Sequence, residues 1–368
     1  MSHPARLVAT LTAPLPFTGA DDTPWLTPWP AARLLVQRGE TELIVRQVAA
    51  PATAGPIRFP APWPRRYGDA VVSPDATLAV FSGPHGLRAV DRAGAVRWEL
   101  GHGCWADCPE GGAVTSYADD HAHRYASRGS VCFSADGTLV WAHVRGPLAG
   151  DEPVQGPGEE EWLVLNAADG ALLARAGTGT AAEGSFHVPH PDPARMGLTI
   201  GEGQDGSPLR WGHFDGRTLT VDRLGDDDLV LLAASPGGGH LLTVTHDQDT
   251  LAVRRLADGV VTAVLDASVI PPRAPGAGAE EGEEGEDQDP AYFDYAGGFV
   301  DEDTAVFGSV ESDDEHGDLR HWLVDTARMA RVERIGYPFP VEVPPTALGD
   351  GTWYTTSRSD NALHIWSR

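Results

Sequence analysis

One pattern of four short apolar runs recurs along nearly the whole of this 368-residue chain. In each copy two runs flank a tight Ser/Pro/Asp/Gly turn, a polar loop follows, and two more runs flank a second turn. The clearest copies span 69–100, 129–177 and 230–266, and looser copies span 184–224 and 293–335. Runs of about four to eight residues rich in Val, Leu and Trp, bounded by such turns, are typical of β-strands. A repeated four-stranded unit constrains the fold because each unit must cover the apolar face of its neighbour.

The two ends of the chain complete the number of units. Residues 340–368 supply only three strands, whereas residues 5–13 form a lone strand with no unit of its own. Pairing these segments gives a last unit closed by the N-terminal strand, which removes two exposed sheet edges. With a first unit built on residues 32–50, the total is seven. Six or eight units stay as alternatives because the inner strand of the first unit is not evident.

The repeats resemble the WD40-like β-propeller family. The first-turn segments VSPDATLAVF, FSADGTLVW and ASPGGGHLLTV, the third-strand endings at Asp91, Asp325 and Trp366, and the Gly101–His102 dipeptide carry this resemblance. It implies an all-β fold, a β-propeller of seven four-stranded blades in a single domain over residues 1–368. We therefore expect a non-enzymatic scaffold that binds a protein or peptide partner.

Composition excludes several function classes. A formal net charge of −26 argues against nucleic acid as a partner, since phosphates would be repelled. All 27 basic residues are arginine, which removes mechanisms that need a catalytic or Schiff-base lysine. Three cysteines do not make a disulfide framework, and no run approaches about 18 apolar residues. With a mature N-terminus and an Ala/Gly/Pro excess, we expect a bacterial, cytoplasmic monomer that does not contact membranes.

Strand alternation predicts that the two faces of the propeller differ. If the strands of each blade are called a to d, the a–b and c–d turns lie on one face and the b–c and d–a connections on the other. The a–b and c–d turns are short and alike. All long connections fall on the second face, at 101–128, 147–160, 267–291 and 311–318. Because long loops in compact folds commonly carry function, this face is the predicted binding surface.

The long connections are acidic. Residues 279–289 contain seven carboxylates and residues 311–318 contain five. One interpretation is a self-repelling, solubilising loop, and the other is a docking surface for a basic protein segment. Tryptophans outside the predicted strands are candidates for an exposed recognition surface, and these are Trp25, Trp29, Trp63 and Trp105. The predicted binding residues are Trp105, Asp119, Asp120, Tyr125, Glu311, Asp313, Asp314 and Glu315.

The connection 101–128 also contains candidate metal ligands. Cys104 and Cys108 are separated by three residues, a spacing found in some zinc sites, although small packing residues of an ordered loop are the favoured interpretation and a disulfide between them is a further alternative. Histidines follow nearby, and further histidines, His85 among them, lie in b–c connections. A divalent metal at the mouth of the channel would activate water, so a metal-dependent lyase or hydrolase with His and carboxylate ligands is the alternative function. The candidate ligands are His102, Cys104, Cys108, His121, His123, His246 and His316.

Three other features receive structural interpretations. The GEGQDG segment at 201–206 matches a phosphate-binding pattern, but it leads into a strand and not a helix, so we interpret it as a b–c loop. His187 lies in a predicted inner strand, where it is a hydrogen-bonded structural histidine or a residue lining the channel. Cys132 lies in another inner strand and is predicted to be a core residue. No catalytic residue and no cofactor other than a divalent metal is assigned.

Overall fold

The structure is a computed structural model that describes residues 2–29, 33–49, 54–106, 123, 127–152, 158–225, 228–271, 291–310 and 319–368. Within these ranges the chain forms β-strands, together with short 3-10 helices at Arg65–Tyr67, Gly203–Asp205 and Ala267–Val269. The predicted all-β class is therefore confirmed. The described residues contain no helix with the length and hydrophobicity of a membrane span.

The strands follow one another as antiparallel meanders. The N-terminal strands and the strands of the first four sheets are β1 Ser2–Pro4, β2 Arg6–Thr12, β3 Trp25–Leu26, β4 Leu34–Arg38, β5 Glu42–Gln47, β6 Ile57–Pro60, β7 Ala70–Val72, β8 Leu78–Ser82, β9 Gly86–Asp91, β10 Val96–Gly101, β11 Val131–Phe133, β12 Leu139–Arg145, β13 Glu160–Asn166, β14 Leu172–Gly177, β15 Gly184–Pro189, β16 Arg195–Gly201, β17 Leu209–Phe214 and β18 Leu219–Arg223. The remaining strands are β19 Leu229–Ala234, β20 His240–Thr245, β21 Thr250–Arg255, β22 Val261–Asp266, β23 Tyr292–Asp301, β24 Thr304–Val310, β25 Arg320–Asp325, β26 Ala330–Gly336, β27 Thr346–Ala347, β28 Thr352–Ser357 and β29 Ala362–Ser367.

These strands form seven sheets. Six have four strands, and the sheet of β23–β26 has a fifth, β1. The chain divides into two compact units, one of Leu11–Leu231 and Arg358–Leu363, the other of Met1–Thr10, Leu232–Ser357 and His364–Arg368. The first unit contains most of the sheets from β3 to β18, and the second contains most of the other three. Seven sheets, each with four strands of its own blade, are those of the β-propeller that the repeats predict.

The chain ends pair as predicted. Strand β2 lies beside β29 in the last blade, and the backbone N–H of Ala13 donates to the carbonyl of Asn361 at 2.9 Å. One further pairing was not predicted: β1 joins β26 in parallel, with Ser2 opposite Arg334. The first dozen residues therefore contribute strands to two sheets.

The short a–b turns are stereotyped because Ser and Asp side chains satisfy their backbone groups. The Ser73 hydroxyl donates to Asp75 Oδ1 at 2.6 Å, and it accepts a hydrogen bond from the N–H of Thr77 at 3.1 Å. The next blade repeats the arrangement, with Ser134 donating to Asp136 at 2.7 Å. Such side-chain hydrogen bonds replace backbone partners in turns. The a–b side of these blades is thus a closed scaffold.

Apolar side chains pack between consecutive sheets within the first unit. One cluster joins Leu34 and Val45 of the first blade to Ala79 and Phe81 of the second. Another joins Val80 and Ala89 to residues of β11–β13. The tryptophans predicted to fill strands are buried, and in this unit these are Trp98, Trp141, Trp162 and Trp211. Within this unit each blade therefore covers the apolar face of its neighbour, which is the packing that the repeats require.

Candidate functional site

The residues that follow β10 are held against the b–c turns of two blades. The N–H of His102 donates to the carbonyl of His85, in the β8–β9 turn, at 2.8 Å. The N–H of the next residue, Gly103, donates to the carbonyl of Arg145, at the end of β12, also at 2.8 Å. These bonds fix the path of the chain through residues 102–105. The start of the predicted insertion is therefore an ordered part of the b–c side.

Gly103 is required by this close approach. A Cβ atom at this position would lie 2.0 Å from the carbonyl oxygen of Gly146, which is backbone and cannot rotate away. We expect Gly103→Ala to lower the free energy of unfolding by about 1–3 kcal/mol, the usual cost of overpacking. Gly184→Ala, where a Cβ meets nothing within 4 Å, is the matched control in urea denaturation. Equal effects of the two substitutions would contradict the steric argument.

Three metal-ligating side chains converge beside this crossing. One ligand atom from each of His85, Cys104 and His123 lies within 4.8 Å of the other two. Cys104 Sγ lies 3.2 Å from His123 Nε2, and the imidazole rings of His85 and His123 have centroids 4.8 Å apart. The three side chains are 4%, 9% and 6% exposed in sequence order. Cys104 is a free thiol that also accepts a hydrogen bond from the N–H of Ala106 at 3.2 Å.

A small pocket adjoins this cluster through His123. It is lined by Arg66, Tyr67, Gly68, Ser82, Gly83, Pro84, Trp105, His123, Ser127, Arg128 and Gly129. Trp105 was predicted as an exposed recognition residue, but its side chain is only 3% exposed. It packs in the cluster of Trp141 and Trp162 and lies edge-on to His143, with centroids 5.5 Å apart. The expected exposure was wrong, because this bulky side chain fills the core between two blades.

The structure brings together only some of the predicted site residues. The described ligands Cys104 and His123 meet, whereas His102 and His246 are not part of their cluster. His102 is buried, its Nδ1 lies 2.7 Å from the carbonyl of Gly103, and burial lowers the pKa of its imidazole to about 4. His246, after β20, lies beside the ring of Tyr295. The predicted residues outside the described ranges are Cys108, Asp119, Asp120, His121, Tyr125, Glu311, Asp313, Asp314, Glu315 and His316.

A second polar network links the third and fourth blades. Trp162 Nε1–H donates to His187 Nε2 at 2.9 Å, and His187 Nδ1 lies 2.9 Å from the hydroxyl of Ser130. That hydroxyl lies 2.9 Å from Ser185, whose hydroxyl is 2.9 Å from His143 Nδ1. Because Trp162 donates to Nε2, the proton of the neutral His187 ring is on Nδ1. His187 is therefore a hydrogen-bonded histidine, one of its two predicted roles.

Glu160 ends this network. Its carboxylate lies 3.4 Å from His143 Nε2 and accepts hydrogen bonds from the Thr180 hydroxyl and the Ala182 N–H, each at 2.6 Å. Burial would raise the pKa of Glu160, but these hydrogen bonds hold it below its usual value. The hydrogen-bonded arrangement of Ser185, His143 and Glu160 resembles the Ser–His–carboxylate triad of hydrolases. His143 is wholly buried, however, so a substrate has no access to the base, and we assign the network to blade packing.

Sequence reasoning did not select His85 as a ligand, nor did it detect the polar network. His85 lies 19 residues before Cys104 in chain order and in a different connection, so spacing alone does not pair them. The network had a weak signal, since Gly-Ser precedes the inner-strand residues at 129–130 and again at 184–185. Both Ser130 and Ser185 are members of it.

The chain matches no known family model and no curated protein. Solved structures show the same fold. A prolyl endopeptidase structure matches with a TM-score of 0.54 and 12% identity over 98% of this chain and 50% of that one. Dihydro-heme d1 dehydrogenase NirN matches with a TM-score of 0.51 and 16% identity over 95% of this chain and 63% of that one. The chain therefore spans less than two thirds of the endopeptidase and of NirN. BBS1N, solved in complex with ARL6DN, matches with a TM-score of 0.50 and 13% identity over 97% of this chain and 96% of that one. Identities this low show the propeller fold alone.

Proposed function

We propose that this protein is a non-enzymatic interaction scaffold whose b–c and d–a connections bind a basic protein segment. The observation that carries the proposal is the length of the b–c connections in the third and sixth blades, which exceeds that of the a–b turns in the same blades. In the third blade β11 and β12 are joined by 134–138, whereas β12 and β13 are joined by 146–159. In the sixth blade β23 and β24 are joined by 302–303, whereas β24 and β25 are joined by 311–319. Elaboration of one set of loops on a regular scaffold is typical of binding proteins.

Charge identifies the kind of partner. The formal net charge is −26, and the connections 272–290 and 311–318 contain tracts of carboxylates with few arginines. Such a surface attracts a cationic segment over long distances and accelerates its association. A Lys/Arg-rich peptide is therefore the partner class that this sequence fits.

The similar structures are compatible with this role without deciding it. BBS1N was solved in complex with another protein, whereas NirN and the prolyl endopeptidases are enzymes. The metal-dependent lyase or hydrolase with His and carboxylate ligands is less favoured. In the described part of the chain, the metal-ligating cluster of His85, Cys104 and His123 contains no carboxylate.

Binding of labelled Lys/Arg-rich peptides, measured by fluorescence anisotropy, tests the scaffold. We expect Asp313→Asn/Asp314→Asn to weaken binding roughly two- to thirtyfold, since an exposed charge pair contributes about 0.2–1 kcal/mol. The matched control is Asp169→Asn/Asp258→Asn, which removes the same charge from two c–d turns. High salt must weaken binding by wild type. Failure of wild type to bind any such peptide, or equal effects of the two double variants, would refute the proposal.

A further inference from the structure

We infer that His85, Cys104 and His123 form a binding site for a divalent transition metal of the zinc class. The inference is independent of the scaffold proposal, because it concerns three buried side chains and not the acidic loops. One thiol and two imidazoles are the donors that Zn²⁺ and Co²⁺ prefer, whereas Ca²⁺ and Mg²⁺ require oxygen ligands. The donor set therefore identifies the class of ion.

The separations of the ligand atoms are close to those in a bound site. Zn–S and Zn–N bonds of about 2.3 and 2.0–2.1 Å at a tetrahedral angle place the sulfur and nitrogen about 3.6 Å apart. Cys104 Sγ and His123 Nε2 are 3.2 Å apart, and no ligand pair in the cluster exceeds 4.8 Å. Side-chain movements of about 1 Å or less would complete the geometry.

The protein holds two of these ligands rigidly. The hydrogen bond from the N–H of His102 to the carbonyl of His85 ties the backbone of the β8–β9 turn to the segment containing Cys104. Gly103 is fixed on its other side by Arg145. Because the ligands are nine-tenths or more buried, an ion there would be shielded from competing water. Preorganisation of this kind reduces the cost of assembling a metal site.

Among the described residues, the three ligands of the cluster leave one tetrahedral position for another group. The pocket shares His123 with the cluster, and of its lining residues Ser127 is half-buried and Arg128 is exposed. A water molecule or a small anion in this pocket is the fourth ligand that we infer. The site thus has the open composition that zinc ions show outside closed four-ligand structural sites.

A metal here would connect the two ends of the long d–a connection. Cys104 lies three residues after β10, His123 lies eight residues before β11, and His85 belongs to the neighbouring b–c turn. An ion bound to all three would cross-link both ends of the insertion to the second blade. Closing a loop of this length by a metal removes conformational freedom from the unfolded chain and stabilises the folded one.

Titration of the purified, metal-stripped protein with Co²⁺ tests the site. We expect one ion per chain, with the ligand-field bands of tetrahedral cobalt and a thiolate-to-cobalt charge-transfer band, and displacement by Zn²⁺. Cys104→Ser should abolish the charge-transfer band, and His85→Ala should weaken binding by more than about 100-fold, because even partners of ligands contribute 10–100-fold. Cys132→Ser and His213→Ala, which alter a cysteine and a histidine outside the cluster, should bind as wild type does.

Two further measurements keep the test decisive. Circular dichroism confirms that each variant is folded, and a melting temperature that rises with Zn²⁺ in wild type but not in Cys104→Ser supports the site. Protection of the Cys104 thiol from iodoacetamide by Zn²⁺ supports it as well. Folded wild type that binds neither ion would overturn the inference. So would rapid alkylation of Cys104 that Zn²⁺ does not slow, which would identify a Cys104–His123 nucleophile pair instead.

Discussion

Deletion of residues 1–13 should lower the free energy of unfolding by roughly 3 kcal/mol or more, taking each lost backbone hydrogen bond at about 0.5–1.5 kcal/mol. The segment contains β2, whose seven residues form the outer strand of the last blade beside β29. It also contains β1, the fifth strand of the sheet of β23–β26. One truncation therefore leaves two sheets with exposed edges, which additionally favours aggregation.

The closing strand acts mainly through its backbone. Leu7 and Val8 are 40% and 50% exposed, so β2 buries little apolar surface of its own. Strand β29 is buried along its whole length, and Trp366 within it is fully buried. Without β2, the backbone of β29 would lose its partners on one side and become an edge. Side chains of β2 also make hydrogen bonds to β29, Arg6 with Ser367 and Thr10 with His364.

Complementation separates this effect from general damage. Thermal melting of the truncated protein should recover when a synthetic peptide of residues 1–13 is added, and a peptide of scrambled order should not restore it. Arg6→Ala in the full chain, which removes only a side-chain contact, should change the melting temperature little. A truncated protein that melts as the full chain does would refute closure by this pairing.

The propeller could be predicted because each repeat is recognisable from residues that are close together in the sequence. The clear copies show four short apolar runs, and the second and third blades share a Ser-x-Asp turn, at Ser73–Asp75 and Ser134–Asp136; these features depend on neighbours in sequence. The pairing of β2 with β29 followed from counting strands. The parallel pairing of β1 with β26 could not be predicted, since Ser2–Pro4 has no apolar alternation and no turn connects it to its partner.

The metal cluster was predictable only in part, and the reason is physical. Cys104 and His123 lie in one connection, so their residue types and their proximity in sequence suggested a common site. His85 joins them because Gly103 allows the backbone to pass close to Gly146, which brings the segment to the b–c turns. His102 is not part of the ligand set, and its Nδ1 lies beside the carbonyl of Gly103. The sequence alone does not show that His85 is a ligand and His102 is not, because this depends on how the segment 102–105 crosses the b–c turns.

Acidification from about pH 6.5 should destabilise the protein by about 1.4 kcal/mol per pH unit for each buried histidine that stays neutral in the folded state. His102, whose pKa burial lowers to about 4, contributes down to about that pH. Burial lowers the pKa of His187 and of His321 to about 3, so these two contribute over the widest range. In the folded protein His187 accepts a hydrogen bond from Trp162, and His321 Nδ1 lies 2.8 Å from the Tyr337 hydroxyl, which itself accepts from Trp353. Protonation of His187 would place two donors against each other.

The direction of this pH effect follows from comparing proton binding in the folded and unfolded chain. Above about pH 6.5 both histidines are neutral whether the chain is folded or unfolded, and they add no pH dependence. Between about pH 6.5 and about pH 3 the unfolded chain binds a proton at each site and the folded chain does not. The free energy of unfolding therefore decreases as the pH is lowered. Asp69 opposes this trend, since the pKa of its carboxyl is raised. A comparison of variants therefore tests the histidines better than the total slope does.

Urea denaturation followed by tryptophan fluorescence at several values between about pH 6.5 and about pH 4.5 measures the slope. His321→Gln and His187→Gln should each flatten it by about 1.4 kcal/mol per pH unit, one proton's worth, even if the variants are less stable at neutral pH. Tyr337→Phe is the control, because it removes the hydroxyl near His321 but leaves the buried imidazole able to titrate. A slope unchanged in His321→Gln, or flattened in Tyr337→Phe to the same extent, would show that His321 does not bind the proton on unfolding. The first result would assign acid sensitivity to other groups, and the second would assign it to the Tyr337 hydrogen bond.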